Sequence, residues 1–380
     1  MEILAKKKEL RVALVHDFLV QYGGAERVLE VLAEIFPKAP IYTLLYDKKG
    51  VHGKFAHKIV RASFLQKFPK FLKKHYKFLL PFMPTAPETF DLREFDLVIS
   101  SSGAWSKGIV TRLNTVHVSY VHSPMRFVWD ANDEYLKQQE KRAGFNFCTR
   151  LIMNYIRVWD KLAADRPDHL IANSNYTQAR VKKYYGRESA VIYPPVAPFG
   201  GDASKPVNTS NKDYFLVVSR LSPYKKIDAV VEAFNKLGLP LVVIGAGQQE
   251  QYLKKIAKEN VKIIGWQSDE KMQQYYSQAR AFVFPGVDDF GIAPVEAMAH
   301  GVPVLAIRMG GALETVLEGK TGEFFDCATS EVIADGVRRL IENEKNYDKQ
   351  VIINRAREFS KERFVREIGE YIESVLKSKV

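Results

Sequence analysis

The stretch 281-AFVFPGVDDFGIAPVEAMAHGVPVLAI-307 decides how the chain is read. Residues 281–284 form a short apolar run. The chain leaves it through Asp288-Asp289 and turns at Phe290-Gly291. Pro294 suits the first position of a helix, which makes Glu296 roughly the third. A second apolar run follows at 303–307. Both runs are continuous rather than alternating, the mark of parallel strands covered on both faces.

The same unit recurs along the chain. Strands are expected at 11–16, 41–45, 96–100, 116–121, 169–172, 190–193, 214–218, 240–244 and 261–264. Strand–helix alternation of this kind predicts an α/β fold with doubly wound parallel sheets. Residues 194–213, PPVAPFGGDASKPVNTSNKD, break the pattern with Pro, Gly, Ser and Asn. They divide the expectation into a first Rossmann-like domain over 1–198, a linker over 199–213 and a second such domain over 214–360. An amphipathic helix over 361–380 can pack on either domain.

The chain has 380 residues, 46% hydrophobic and 26% charged, an ordinary globular composition. Cys148 and Cys327 stand far apart without a CxxC or Cys/His spacing, which argues against a disulfide framework or zinc site and fits a reducing cytosol. Charge interrupts the N-terminal stretch where a signal peptide needs an apolar run, and no run has transmembrane length. The net charge is +12, and Lys48 to Pro87 supplies +10 of it with nine lysines, one arginine and no acid. Such asymmetry points to an anionic partner surface, membrane or nucleic acid.

In open α/β sheets, ligands bind beyond the carboxyl ends of strands. There the sequence places His16-Asp17 and Gly23-Gly24, Ser100 to Gly103, and His122-Ser123-Pro124. It also places 219-SRLSPYKK-226, Gly245-Ala246-Gly247, Gly265-Trp266, the opening loop, and Gly310-Gly311. The natural site is a cleft between the two domains. Glu296 either complements a helix dipole or takes two hydroxyls of a ribose, since a carboxylate accepts two hydrogen bonds side by side. Asp288 then reaches the hydroxyls of a sugar, and Gly291 lets backbone approach the ligand. Arg220 and Lys225 are either solvated or a diphosphate clamp, a planar fork beside a point charge. Gly23-Gly24 is an ordinary tight turn or, opening a helix, an anion site. His122 is a structural histidine or a hydrogen-bond partner of a reacting sugar.

Read together, 284-FPGVDDFGIAPVEAMAHGVPVLA-306, 218-VSRLSPYKKID-228, Gly245-Ala246-Gly247 and 308-RMGGALETV-316 resemble the group-1 (family 4) retaining glycosyltransferases. The segments 122-HSPMRFVWD-130 and 16-HDFLVQYGGAERVL-29 are similar to bacterial mannosyltransferases of O-antigen and other polysaccharide assembly. The resemblance covers nearly the whole chain, with the motifs in the family's order. It implies a GT-B fold, with a sugar nucleotide on the second domain and an acceptor on the first. It implies Arg220 and Lys225 on the diphosphate, Glu296 on the ribose, Asp288 on the donor sugar, and Gly23 and Gly24 near the phosphates. Gly265, Trp266, Phe290 and Gly291 join the donor set, and His122, Asp17 and Arg126 fall near the sugar or acceptor. The family's E-x7-E motif reads D-x7-E here, with Asp288 one methylene shorter than the usual glutamate. The family needs no metal, and no cofactor beyond the sugar-nucleotide co-substrate is expected. GDP-mannose is the expected donor, UDP-sugars the alternative, and a glycan or polyprenyl-linked saccharide the expected acceptor.

Residues 64–80, FLQKFPKFLKKHYKFLL, set Phe64, Phe68 and Phe71 on one helical face and Lys67, Lys70, Lys74 and Lys77 on another, with Pro69 starting or splitting the helix. This fits a surface helix or one lying on an anionic bilayer, with Lys67, Lys70, Phe71, Lys74 and Lys77 as contacts. The expected location is then the cytoplasmic face of an inner membrane. A nucleic-acid-binding protein would use the same charge but leaves the ordered strand-end motifs unexplained. A nucleotide-sugar epimerase of similar architecture is a further alternative.

Overall fold

The computed structural model describes residues 10–69, 76–130, 146–196 and 214–378. The chain divides into two compact units, one of Met1–Tyr193 with Phe364–Val380, the other of Pro194–Arg363.

The first unit is built on β1 (Val12–Leu19), β2 (Ile41–Tyr46), β3 (Val60–Ala62), β4 (Leu97–Ser102), β5 (Val116–Val121), β6 (His169–Ala172) and β7 (Ala190–Val191). They form one parallel sheet in the order β3-β2-β1-β4-β5-β6-β7. Every residue of β4 and β5 is buried, Ser100 to Ser102 of β4 and His117 and Ser119 of β5 included. The strand order reverses between β1 and β4, and a crevice for ligands opens at such a point.

The second unit holds β8 (Tyr214–Val218), β9 (Leu241–Ile244), β10 (Val261–Ile264), β11 (Ala279–Phe284), β12 (Val304–Ile307) and β13 (Gly322–Phe325). They too are parallel, in the order β10-β9-β8-β11-β12-β13, with the reversal between β8 and β11. Two doubly wound parallel sheets of this kind are the GT-B fold.

Local readings differ from the sequence expectation at several points, and β4 runs on to Ser102, so Ser100 to Ser102 lie inside the strand. β1 continues to Leu19, so His16 and Asp17 lie inside the strand and not beyond it. Their polar groups are accommodated there because β4 and the turn after it supply partners, described below. β3 was not expected, because three edge residues leave no pattern. β13, GEFF, was not expected either: it opens on a glycine and carries an acid, and Glu323 is held by Asn343 Nδ2 at 3.0 Å and the Tyr347 hydroxyl at 2.7 Å. Over 64–80, where a helix started or split by Pro69 is expected, the described residues form two 3₁₀ turns, Phe64–Lys67 and Tyr76–Phe82. Pro69 forces its predecessor out of the helical region, and Phe68 is extended (φ −64°, ψ 152°). Of the expected membrane contacts, Lys67 is exposed, Lys77 lies in the second turn, and Lys70, Phe71 and Lys74 fall outside the described residues.

The C-terminal helix Lys361–Ser378 places Phe364, Ile368, Ile372 and Val375 on one stripe. That stripe is buried in the first unit's core with Leu14, Leu97, Val118 and Tyr120. The second unit has its own core around Phe215, Val230, Phe234, Val283 and Phe325.

Candidate functional site

In the second unit, parallel strands put every candidate loop at the same sheet edge. Ser219 to Lys226 follow β8, Gly245 to Gly247 follow β9, Gly265-Trp266 follow β10, Pro285 to Phe290 follow β11 and Arg308 to Gly311 follow β12. The loops after β8 and β11 flank the reversal, and here the two units of charge meet. Lys225 Nζ donates to both carboxylate oxygens of Asp288, at 2.5 Å. Lys225 is buried, while the Asp288 side chain keeps about a quarter of its surface open (24%). The ammonium also lies over the rings of Tyr224 (5.3 Å) and Phe284 (6.0 Å). The sequence assigned these two side chains separate roles. The fold makes them one ion pair, which no local pattern signals because they are 63 residues apart.

Arg220 is exposed and donates to the Tyr224 hydroxyl at 3.0 Å. Its guanidinium is therefore presented outward beside the buried pair. Lys226 is exposed at a left-handed φ of +54°, where it ends the turn Pro223–Lys225 and caps the helix Ile227–Leu237.

The helix after β11 spans Ile292–Ala299. It starts two residues earlier than expected, so Pro294 is its third residue and Glu296 its fifth. Proline is tolerated there because first-turn N–H groups lack an intrahelical acceptor anyway. Gly291 precedes the helix at φ +85°, and a Cβ there would meet the Phe284 ring at 3.1 Å. Glu296 thus sits past the first turn, and helix-dipole complementation does not account for it. It is buried (3% exposed), and its Oε2 accepts from the Tyr276 hydroxyl at 3.0 Å. Tyr276 in turn stacks on His300, whose Nδ1 bonds the Glu296 carbonyl at 2.8 Å. Desolvation lowers the His300 imidazole to about 4, so it is neutral near pH 7. Gly311 closes the loop from the other side: its N–H donates to Asp288 O at 2.9 Å, and a Cβ there would strike Phe290 backbone at 2.3 Å. Phe290 is buried against the Phe359 ring, so it supports the loop from within. Gly265 has open space around it, and Trp266 is 56% exposed.

In the first unit, His122 follows β5. Its Nε2 lies 2.8 Å from Ser101 Oγ, and Ser101 Oγ lies 3.1 Å from His16 Nδ1. His16 Nε2 is 3.5 Å from Glu26 Oε1, on the helix Gly24–Ile35 that Gly23 and Gly24 open. A chain of four side chains thus runs across the β1–β4 reversal. His122 is held well below the usual imidazole range, at about 3, by desolvation and by His16. It is a neutral hydrogen-bonding group near pH 7, and its Nδ1 makes no hydrogen bond among the described residues. The sequence marked His122, His16 and Ser101 as strand-end residues without joining them, because only β1–β4 register brings residue 101 beside residue 16, and Glu26 was missed. Asp17 is engaged differently: Oδ2 accepts from Gly103 N (2.7 Å), and Oδ1 from Trp105 N (2.8 Å) and Ser106 N (2.6 Å). Both its oxygens hold the turn after β4. Arg126 is half-buried after β5.

Among the described residues no group of three or more His, Cys, Asp or Glu could hold a metal ion. No helix among them is long and apolar enough to cross a membrane.

Comparison with known proteins agrees with the fold. A family described as "Glycosyl transferases group 1" matches residues 202–359, and one described as "Glycosyltransferase Family 4" matches 22–198. A GDP-mannose-dependent alpha-(1-6)-phosphatidylinositol monomannoside mannosyltransferase of Mycobacterium tuberculosis is 28% identical over 205 residues, covering 47% of this chain and 53% of its own. The chain spans about half the length of the curated relatives it matches. Among solved structures, Anabaena HepE in complex with UDP-glucose superposes with a TM-score of 0.69 at 20% identity, covering 96% of this chain and 99% of its own. A sucrose-phosphate synthase from Thermosynechococcus elongatus gives 0.70 at 17% identity, covering 96% and 100%.

Proposed function

Since the chain belongs to the group-1, family 4 glycosyltransferases, we propose that it transfers a hexose from a nucleoside diphosphate sugar, with retention, to a glycan or lipid-linked saccharide. The observation that carries this reading is the Lys225–Asp288 pair beside exposed Arg220, at the strand reversal of the second sheet.

Arg220 and Lys225 hold the diphosphate. Arg220 offers a planar fork from the exposed side, and Lys225 a point charge from the buried side. A glycosyl transition state resembles an oxocarbenium ion with a departing diphosphate, and the two cations stabilise the charge that builds on the leaving oxygens. Asp288 has a double use. It holds the ammonium in place, and its partly open carboxylate accepts hydroxyls of the transferred sugar. Being one methylene shorter than glutamate, it reaches less far, and its contact with Lys225 is what keeps it directed. Glu296, fixed by Tyr276, accepts the two ribose hydroxyls. Gly265 and Trp266 border the base. On the first unit, neutral His122 serves as hydrogen-bond partner for a sugar hydroxyl. No enzymic base is needed where the acceptor attacks from the leaving-group face and the diphosphate oxygen takes its proton. Charge neutralisation by Arg220 and Lys225 makes the reaction metal-independent, so turnover persists in chelator.

The donor is GDP-mannose in this reading, supported by the mycobacterial relative, whose name specifies that donor. The UDP-glucose bound to HepE supports a second reading, a UDP-sugar donor. Calorimetry with GDP, UDP, ADP, GDP-mannose and UDP-glucose separates them: selective binding of GDP and GDP-mannose supports the first, and binding of UDP and UDP-glucose alone overturns it. Lys225→Ala and Glu296→Ala are each expected to weaken donor binding about 10-fold to 100-fold, the size of a lost charge-assisted hydrogen bond. Unchanged affinity in either variant defeats the clamp. The acid-free stretch Lys48–Pro87 attracts the first unit to an anionic, cytoplasm-facing membrane carrying the acceptor.

A further inference from the structure

The helix Asn146–Ala163 turns one face inward and leaves a second apolar face outside. Met153, Ile156, Trp159 and Ala163 are buried in a hydrophobic cluster. Leu151, Tyr155, Val158 and Leu162 are 53%, 53%, 53% and 59% exposed. Their spacing of four, three and four residues aligns them along one side of the helix. A water-facing helix carries polar residues there, and an ordered apolar stripe marks an interaction surface.

We propose that this outer face seats on an anionic lipid surface. Two observations choose lipid. The first is charge. The helix carries Arg150, Arg157 and Lys161 against one acid, Asp160. Asp160 is fully buried and bound by Lys107, the Trp129 indole and the Tyr185 hydroxyl, so it contributes no anion to the outside. Just past the helix, Asp165 is 3.6 Å from Lys161. An apolar stripe with cationic flanks matches the boundary of an anionic bilayer, where side chains of this kind enter the acyl region and their cations meet headgroups. The second is continuity with the basic segment. The cluster that receives Met153, Ile156 and Trp159 also contains Leu65, Leu79 and Met83 of the acid-free stretch. The stripe and the stretch with +10 charge therefore flank one hydrophobic cluster of one unit. A second copy of the chain docked stripe to stripe would bring like charges together, which disfavours it.

The inference deepens the membrane reading above and assigns the insertion to this helix, with the basic segment supplying long-range attraction. It is independent of the donor. The test uses the full chain and vesicles of phosphatidylcholine with or without phosphatidylglycerol, read by flotation. A variant with Leu151→Ser, Tyr155→Ser, Val158→Ser and Leu162→Ser removes the stripe without touching the buried face, and an unchanged Tm shows that it folds. The wild type is expected to float with anionic vesicles and the variant to bind at least about 10-fold more weakly, as four lost apolar contacts imply. In a Tyr155→Trp variant, brominated lipid is expected to quench the added indole. Equal binding by wild type and stripe variant, absent binding at low salt, no quenching, or a wild-type dimer that the variant converts to monomer would each overturn the proposal. Donor binding is measured on the same samples. If it is absent while flotation follows the stripe, the glycosyltransferase reading fails and the lipid surface stands.

Discussion

Ser101 sits between two imidazoles with a single proton to give. It can donate to one ring only, so the other ring must donate to it. With the His16 proton on Nε2, where the Glu26 carboxylate accepts it, His16 Nδ1 accepts from Ser101. Ser101 Oγ then accepts from His122 Nε2–H, and His122 turns a lone pair at Nδ1 outward. ¹⁵N-histidine NMR of the wild type near pH 7 is expected to show His122 in the Nε2–H form. Ser101→Ala is expected to give a mixture of tautomers, and Ser101→Thr to restore the single one; an unchanged spectrum in Ser101→Ala would remove this role. The histidines also set an acid limit. Burial holds His117 at about 3 and His300 at about 4, both below the ordinary 6.5. As pH falls through about 6.5 the unfolded chain takes up protons that the folded chain refuses. Stability contributed by each neutral ring is complete above that pH and declines toward pH 4 and 3, by at most about 1.4 kcal/mol per pH unit per ring. Urea midpoints at several pH values should show a shallower acid decline for His300→Gln than for the wild type.

At the scale of elements, one buried charge ties several pieces of the first unit together. Asp160 on Asn146–Ala163 accepts from Lys107 in the turn Ser106–Gly108, from Trp129 Nε1 (2.8 Å) after β5, and from the Tyr185 hydroxyl (2.8 Å) at the end of Asn175–Tyr185. Lys107 and Asp160 are both almost wholly buried, so removing one partner strands the other. Lys107→Met is expected to cost about 3–5 kcal/mol in urea unfolding, and Lys107→Met with Asp160→Leu considerably less. If the double variant is no better than the single, the penalty is not the stranded charge. None of this was legible in the sequence, where Lys107 and Asp160 look like surface residues. The strands were legible, because burial on both faces forces apolar residues at consecutive positions. Pro69 was legible as a break in the amphipathic pattern over 64–80, because it resets the backbone of Phe68; that the flanking described segments are 3₁₀ turns was not.

At the scale of the whole molecule, the C-terminal helix returns the chain to the first unit's core. Phe364 is fully buried there, with its ring 5.8 Å from Tyr120. A chain ending at residue 193 therefore lacks part of its core. It is expected to be unfolded or protease-sensitive, and to gain protection when a peptide of residues 361–378 is added. Full resistance of the truncated chain without the peptide would contradict this packing.

The sequence by itself determined the layered α/β architecture, since continuous apolar runs and intervening helical periods are local properties of a chain. It also marked the loops that carry Arg220, Lys225 and Asp288 and the helix that carries Glu296, because polar and glycine residues interrupt apolar runs at strand ends. Tertiary structure alone decided how those residues are used. Strand order joined Lys225 to Asp288, register set Ser101 between His16 and His122, and packing placed Tyr276 on Glu296. Each pairing depends on residues far apart in the chain, and a side chain's hydrogen bonds are made in space, where sequence distance leaves no trace.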